Sequence, residues 1–161
     1  MKLFWKIMAT GFGVGYSPFA PGTMGALVGV LFLVPNLFIS TWFNGSYLID
    51  PVLVLLILVF FFIGVKATNE LEPEWGHDPQ KIVIDEIIGF WIAMIAVPYT
   101  AWTLFVGFVL FRIFDIWKPL GIRRMEKFNG GWGVMMDDVL AGIYANIVLQ
   151  ILVFSFPNLF L

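Results

Sequence analysis

Long apolar runs separated by polar breaks organise the chain: residues 23–39, 51–65, 82–97, 102–117 and 138–156. A bilayer core about 30 Å thick takes roughly 20 apolar residues per helical span. The pattern therefore predicts an all-α, polytopic helical membrane protein with about five transmembrane helices. The third and fourth runs are short, because about 16 residues at ~1.5 Å each cover only ~24 Å. They must either extend into their neighbours or carry polar ends inside the bilayer boundary. Pro98 is expected to end the third run and Pro119 the fourth, since proline cannot continue a hydrogen-bonded helix interior. Residues 1–10 place Lys2 and Lys6 among Phe4, Trp5, Ile7 and Met8, then break at Gly11, Gly13 and Gly15. A secretory signal needs an uninterrupted apolar stretch and a small-residue cleavage site. The segment is read instead as a short interfacial helix lying on the membrane.

The composition agrees. Of 161 residues, 60% are apolar and 12% charged, against about 45–50% and ~25% in a soluble domain. One domain spanning residues 1–161 fits that length, and a soluble domain so small could not cover that much apolar surface. The net charge of −2 lacks the basic excess of a nucleic-acid binder. The absence of cysteine excludes disulfides, thiolate metal sites and a cysteine nucleophile.

With the N-terminus inside and five alternating spans, all nine Lys and Arg residues fall on the cytoplasmic side, as the positive-inside tendency predicts. Ten of the eleven acids fall there too, Asp50 being the exception. No topology rule asks for the acids, so their placement points to function.

Four polar clusters interrupt apolar sequence, where ionisable groups are costly. Asp85 and Glu86 follow Ile82-Val83-Ile84; Asp85 alone reads as a helix N-cap, but two adjacent carboxylates in that setting read as a site. Asp85, Gly89, Ala93 and Ala96 would share a small-residue face open to another helix. Arg112, Asp115 and Lys118 recur at i, i+3 and i+6, roughly on one helical face. They make either a local ion pair with a snorkelling lysine or a place where Arg112 and Lys118 hold an anion while Asp115 orients them or a metal. Asp137 and Asp138 follow Gly130-Gly131-Trp132-Gly133 at the start of the last helix, where one of them is expected to cap it. Asp138, Gly142, Asn146 and Gln150 form a stripe that should face the bundle interior. Residues 11–25, with Pro18, Pro21, Gly22 and Thr23, make a stiff loop. It is either a phosphate-receiving turn at a helix N-terminus or a plain interfacial turn. Hard carboxylate oxygens, no Cys and a single His favour Mg²⁺ over Zn²⁺. Beside Arg and Lys at the headgroup plane, such a site suggests chemistry on a phosphate-bearing lipid.

Together these clusters resemble the phosphatidylglycerophosphatase A family. The resemblance rests on residues 13–25, on Val83-x-Asp85-Glu86-x-x-Gly89, on Phe111-Arg112-x-x-Asp115-x-x-Lys118-Pro119, and on Gly130-Gly131-x-Gly133-x-Met135-x-Asp137-Asp138-x-x-Ala141-Gly142. It implies an Mg²⁺-dependent phosphatase of the bacterial inner membrane. This enzyme would hydrolyse phosphatidylglycerol phosphate to phosphatidylglycerol in phospholipid biosynthesis, with its active site on the cytoplasmic side. It assigns catalysis to Asp85, Glu86, Asp115 and Asp138, metal binding to Asp85, Glu86, Asp137 and Asp138, and phosphate binding to Arg112, Lys118 and Thr23. His77 matches some members, though a loop His beside Asp78 is more often a surface residue. Direct water attack and an aspartyl-phosphate intermediate both stay open. The rival from another class is a small ion-coupled transporter using the buried carboxylates. It would want inverted repeats and polar residues reaching the outer half of the bundle; only Asn146 and Gln150 do so.

Overall fold

The computed structural model describes residues 2–40, 51–76 and 79–160, and every described element is helical. In order these are α1 (Lys2–Ala9), a 3-10 turn (Val14–Tyr16), α2 (Pro21–Ser40), α3 (Pro51–Trp75), α4 (Ile84–Ala93), α5 (Ala101–Trp117), α6 (Ile122–Met125), α7 (Gly131–Ser155) and α8 (Pro157–Phe160). By length and composition, α3 and α7 can cross a bilayer: each has 25 residues, with mean hydropathy 2.5 and 1.7. At about 1.5 Å per residue each measures ~37 Å. Their outward faces remain apolar, with Val52, Leu55, Leu58, Phe62, Ile147, Ile151 and Phe154 all exposed. The expected N-terminal helix is present as α1; Leu3, Phe4 and Ile7 are exposed on it, while Trp5 packs against the core. Lys66 of α3 lies 5.4 Å from the Trp5 ring centroid.

The third apolar run departs from expectation. It folds as the ten-residue α4, ~15 Å long at the usual rise, too short to cross a bilayer alone. Nearly all of α4 is buried, including Ile84, Ile88, Phe90 and Ala93. It packs among α2, α3, α5 and α7. A helix ending in an apolar interior leaves carbonyls without partners, which is costly unless something donates to them. The stripe on α7 does so: Asn146 Nδ2 donates to the carbonyls of Ala93 at 2.9 Å and Ile95 at 2.8 Å. Gln150 Nε2 donates to Asn146 Oδ1 at 2.8 Å. Asn146 and Gln150, the residues that favoured the transporter reading, thus serve the end of α4. At the other end, the Val83 N–H donates to the Ala9 carbonyl at 2.9 Å, tying the start of α4 to α1.

The close crossing of α4 and α7 rests on two glycines. A methyl at Gly142 would strike the Gly89 carbonyl, and one at Gly89 would meet the Phe111 ring and the Asp138 carbonyl. Trp91 fixes the opposite side of α4, its indole N–H donating to the Gly29 carbonyl of α2 at 3.1 Å.

The other boundaries follow local chemistry. Thr100 and Thr103 form a reciprocal capping box that starts α5, satisfying donors at the first turn. Lys118 ends α5 in a left-handed conformation, φ 46°. The second run continues through Trp75, ten residues past its expected end, and the last begins at Gly131 rather than residue 138. Asn69 Oδ1 of α3 accepts from the Gly131 N–H at 2.7 Å, which anchors that earlier start.

The crossing yields a direct prediction. Gly142→Ala should destabilise the fold by about 1–3 kcal/mol, the range for overpacking a filled interior. Thermal unfolding in detergent measures it, and an unchanged melting temperature would contradict the contact.

Candidate functional site

The first turn of α4, the last turn of α5 and the second turn of α7 meet at one end of the bundle. Together with the loop before α2 they enclose a cavity of about 560 Å³. It is lined by Asp85, Glu86, Arg112, Asp115, Asp137 and Asp138, with Lys118, Gly22 and Gln80 among its other walls. The sequence-predicted acids and cations therefore converge, although three helices carry them.

The cap expected at Asp137 or Asp138 is not one, and the alternative reading of Asp85 as a cap fails too, in keeping with the preference for a site there. The N-cap of α4 is Val83 and that of α7 is Gly130, so Asp85 lies inside the first turn of α4 and Asp137 and Asp138 lie well inside α7. Helical phase then separates the neighbours Asp137 and Asp138, as successive residues on a helix point in different directions. Asp138 turns toward α4: one carboxylate oxygen each from Asp85, Glu86 and Asp138 lie within 4.8 Å of one another. Asp137 turns toward α5, where Lys118 Nζ donates to its Oδ2 at 2.5 Å. The expected metal set thus splits, with Asp85, Glu86 and Asp138 clustered and Asp137 engaged by a cation.

Arg112 and Asp115, one turn apart on α5, form an ion pair with Nη1 and Oδ2 at 2.5 Å. Asp115 lines the same cavity as Asp138, so the arginine's ion-pair partner stands beside the acidic cluster. Lys118 Nζ donates in addition to Glu126 Oε1 at 2.7 Å. Burial alone would lower the Lys118 pKa, but the hydrogen bonds it donates to Asp137 and then Glu126 outweigh it and hold the ammonium above the ordinary lysine value. The lysine stays charged.

Two buried carboxylates and a half-buried one so close together repel one another when ionised. A hard divalent cation placed among them removes that cost, and all-oxygen donors suit one. The second carboxylate oxygen of Glu86 is buried and has no hydrogen-bond partner, as a vacant ligand position would be. The donor set fits a metal. Arg112 Nε is likewise buried without a partner, which leaves donor capacity directed at an anion beside the cluster.

Some wall residues were not legible as site residues. A methyl on Gly22 would land on the Glu86 carboxylate and 3.3 Å from Arg112 Nη2, so this glycine in the first turn of α2 is what lets the helix close over the site. Glu126 sits in a run of exposed charges that reads as solvated, and the turn after Lys118 brings it back. Thr23 lies one residue beyond Gly22 and is not among the described residues lining the cavity. His77, like Asp78 and Asp50, lies outside the described residues.

A helical bundle with an apolar exterior and a cavity that gathers carboxylates beside cations fits an enzyme acting on phosphate esters, with an acidic cluster that could hold a metal ion. The family model described as phosphatidylglycerophosphatase A matches residues 7–153, and the chain belongs to that family of phosphatases. A Bacteroides thetaiotaomicron protein, provisionally named a phosphatidylinositol-3-phosphatase, is 47% identical over 90% of this chain and 91% of its own length. The Escherichia coli phosphatidylglycerophosphatase A is 36% identical, covering 95% of this chain and 86% of the relative. The Haemophilus influenzae phosphatidylglycerophosphatase A is 38% identical, covering 89% and 85%. No solved structure gives a significant match.

Filling the gap at Gly22 tests the geometry without removing any charge. Gly22→Val should lower phosphate release by at least about a hundredfold, since small displacements of positioned groups carry penalties of that order, while leaving the protein folded. Steady-state phosphate release beside a melting curve checks it; full activity in the folded variant would contradict the packing.

Proposed function

We propose that the chain hydrolyses the terminal phosphomonoester of phosphatidylglycerol phosphate, releasing phosphatidylglycerol and inorganic phosphate, with Mg²⁺ as cofactor. The observation that carries this reading is the clustering of Asp85, Glu86 and Asp138 beside Arg112 and Lys118 in one enclosed cavity. The names of the Escherichia coli and Haemophilus influenzae relatives supply the substrate. In this reading residues 1–161 form a single membrane-embedded domain of a bacterial inner membrane, multi-pass, with its site on the cytoplasmic side. The positive-inside distribution of Lys and Arg supports that orientation.

Asp85, Glu86 and Asp138 would hold the ion, which when bound neutralises phosphate charge and lowers the pKa of a coordinated water. The remaining work falls to the chain. Arg112 offers a planar fork that matches phosphate oxygens, and Asp115 fixes its orientation from one turn away. Lys118 adds a second positive charge where charge spreads over the equatorial oxygens in the transition state. A carboxylate of the cluster accepts the proton of the attacking water as the phosphorus–oxygen bond to the glycerol breaks, and the departing glycerol oxygen takes up a proton from solvent water.

A second reading keeps the chemistry and changes the alcohol. The Bacteroides thetaiotaomicron relative carries a phosphatidylinositol-3-phosphatase name at the higher identity, so phosphatidylinositol 3-phosphate is a specific competitor.

Purified full chain in mixed micelles should release phosphate from phosphatidylglycerol phosphate faster than from phosphatidylinositol 3-phosphate or phosphatidic acid. Faster turnover of the inositol lipid would favour the second reading. Release should need Mg²⁺ and stop with EDTA; turnover indifferent to the chelator would overturn the cofactor. Asp85→Asn and Asp138→Asn should each lose at least about a hundredfold in kcat. Unchanged kcat in a folded variant would remove that residue from the reaction.

A further inference from the structure

The cavity holds the site's charged side chains, but exposed apolar side chains flank it. Phe19 is 81% exposed and lies between Pro18 and Ala20, both of which line the cavity. The loop is built to hold the ring outward. The Ser17 hydroxyl donates to the Phe19 carbonyl at 3.0 Å and accepts from the Phe19 N–H at 3.3 Å. Pro18 and Pro21 fix φ on either side. Ala20 adopts φ 41°, a left-handed conformation that costs a residue with a side chain. Such a stiffened turn displays a phenyl ring at the entrance of a charged pocket. In water that display works against the hydrophobic effect; among acyl chains it does not.

On the α5 side, Ile116 lines the same cavity and is 62% exposed. Trp117 and Leu120 continue the apolar surface beyond it, both largely exposed. Aromatic and aliphatic residues at this level of a membrane protein commonly sit where headgroups meet acyl chains.

We propose that Phe19 and Ile116 form a lipid threshold. They lie among the acyl chains at the bilayer interface, and the acyl-bearing glycerol of the substrate leaves the cavity between them while its phosphomonoester reaches Arg112 and Lys118. The kinetic part rests on the lipid-phosphate reading above; the placement of Phe19 in lipid does not. The threshold selects for a phosphate attached to a membrane-anchored lipid over the same headgroup free in water, because only the former gains apolar contact on both sides of the mouth.

The chain contains no cysteine, so Phe19→Cys provides a single labelling position for a nitroxide in protein reconstituted into bilayer nanodiscs. The label should be more accessible to oxygen than to a water-soluble nickel chelate, as a label at Leu58 on the outward face of α3 should be. The reverse order would overturn the threshold, leaving the loop as a water-exposed or protein-binding surface. In kinetics, Phe19→Ser should raise the KM ratio of dioleoyl over monomeric dihexanoyl phosphatidylglycerol phosphate about tenfold, and Phe19→Trp should restore it. An unchanged ratio overturns the selective role whether activity falls on both substrates or on neither. Wild-type protein that cleaves neither lipid would refute the proposed function, and the nitroxide measurement would still decide the threshold.

Discussion

Gly89 and Gly142 let the backbones of α4 and α7 meet where any side chain would hold them apart, and the position of each acidic group follows from that contact. One turn before Gly89 stand Asp85 and Glu86; one turn before Gly142 stands Asp138. Bringing the glycines together therefore brings the carboxylates together. The same register, continued along α7, places Asn146 and Gln150 against the buried end of α4. One face of one helix thus sets the site at one end and satisfies orphan carbonyls at the other. A longer α4 would need no such partner, but its first turn would not then be held at the depth where α5 presents Arg112 and Asp115.

The electrostatics follow from that packing. Arg112 answers Asp115, and Lys118 answers Asp137 and Glu126, so two of the site's acids are individually balanced. Asp85, Glu86 and Asp138 gather on the other side of the site, one oxygen of each within 4.8 Å of the others. Carboxylates brought together in an apolar bundle are costly unless compensated. The cluster shares its cavity with Arg112, which suits the metal and phosphate binding proposed above.

Much of this was legible because charge is scarce in the sequence. In apolar runs, Asp85-Glu86, Arg112-x-x-Asp115-x-x-Lys118 and Asp137-Asp138 stand out on burial cost alone, and all of them line the cavity. The length of α4 was not legible, since Met94, Ile95, Ala96 and Val97 continue the hydrophobic pattern past Ala93. The helix stops there because α7 provides side-chain donors for its carbonyls, which is a tertiary fact. The cap expected at Asp137 or Asp138 failed for a related reason: Asn69, 62 residues away in sequence, anchors α7 well before the aspartates. Gly22 and Glu126 act through approaches between distant segments, and Phe19 through its exposure at the cavity mouth, none of which has a local sequence signature.

Asp85, Glu86 and Asp138 are proposed to form the Mg²⁺ site, and that proposal is open to a direct binding test. A ligand bound only by the native state raises stability as its concentration exceeds its dissociation constant. Thermal unfolding of the purified chain, titrated with Mg²⁺ at constant ionic strength, measures this directly. The melting temperature should climb with Mg²⁺ in the wild type and stay flat in Asp138→Asn, whose own baseline should rise as one repelling charge is removed. A wild-type melting temperature indifferent to Mg²⁺ would contradict the account.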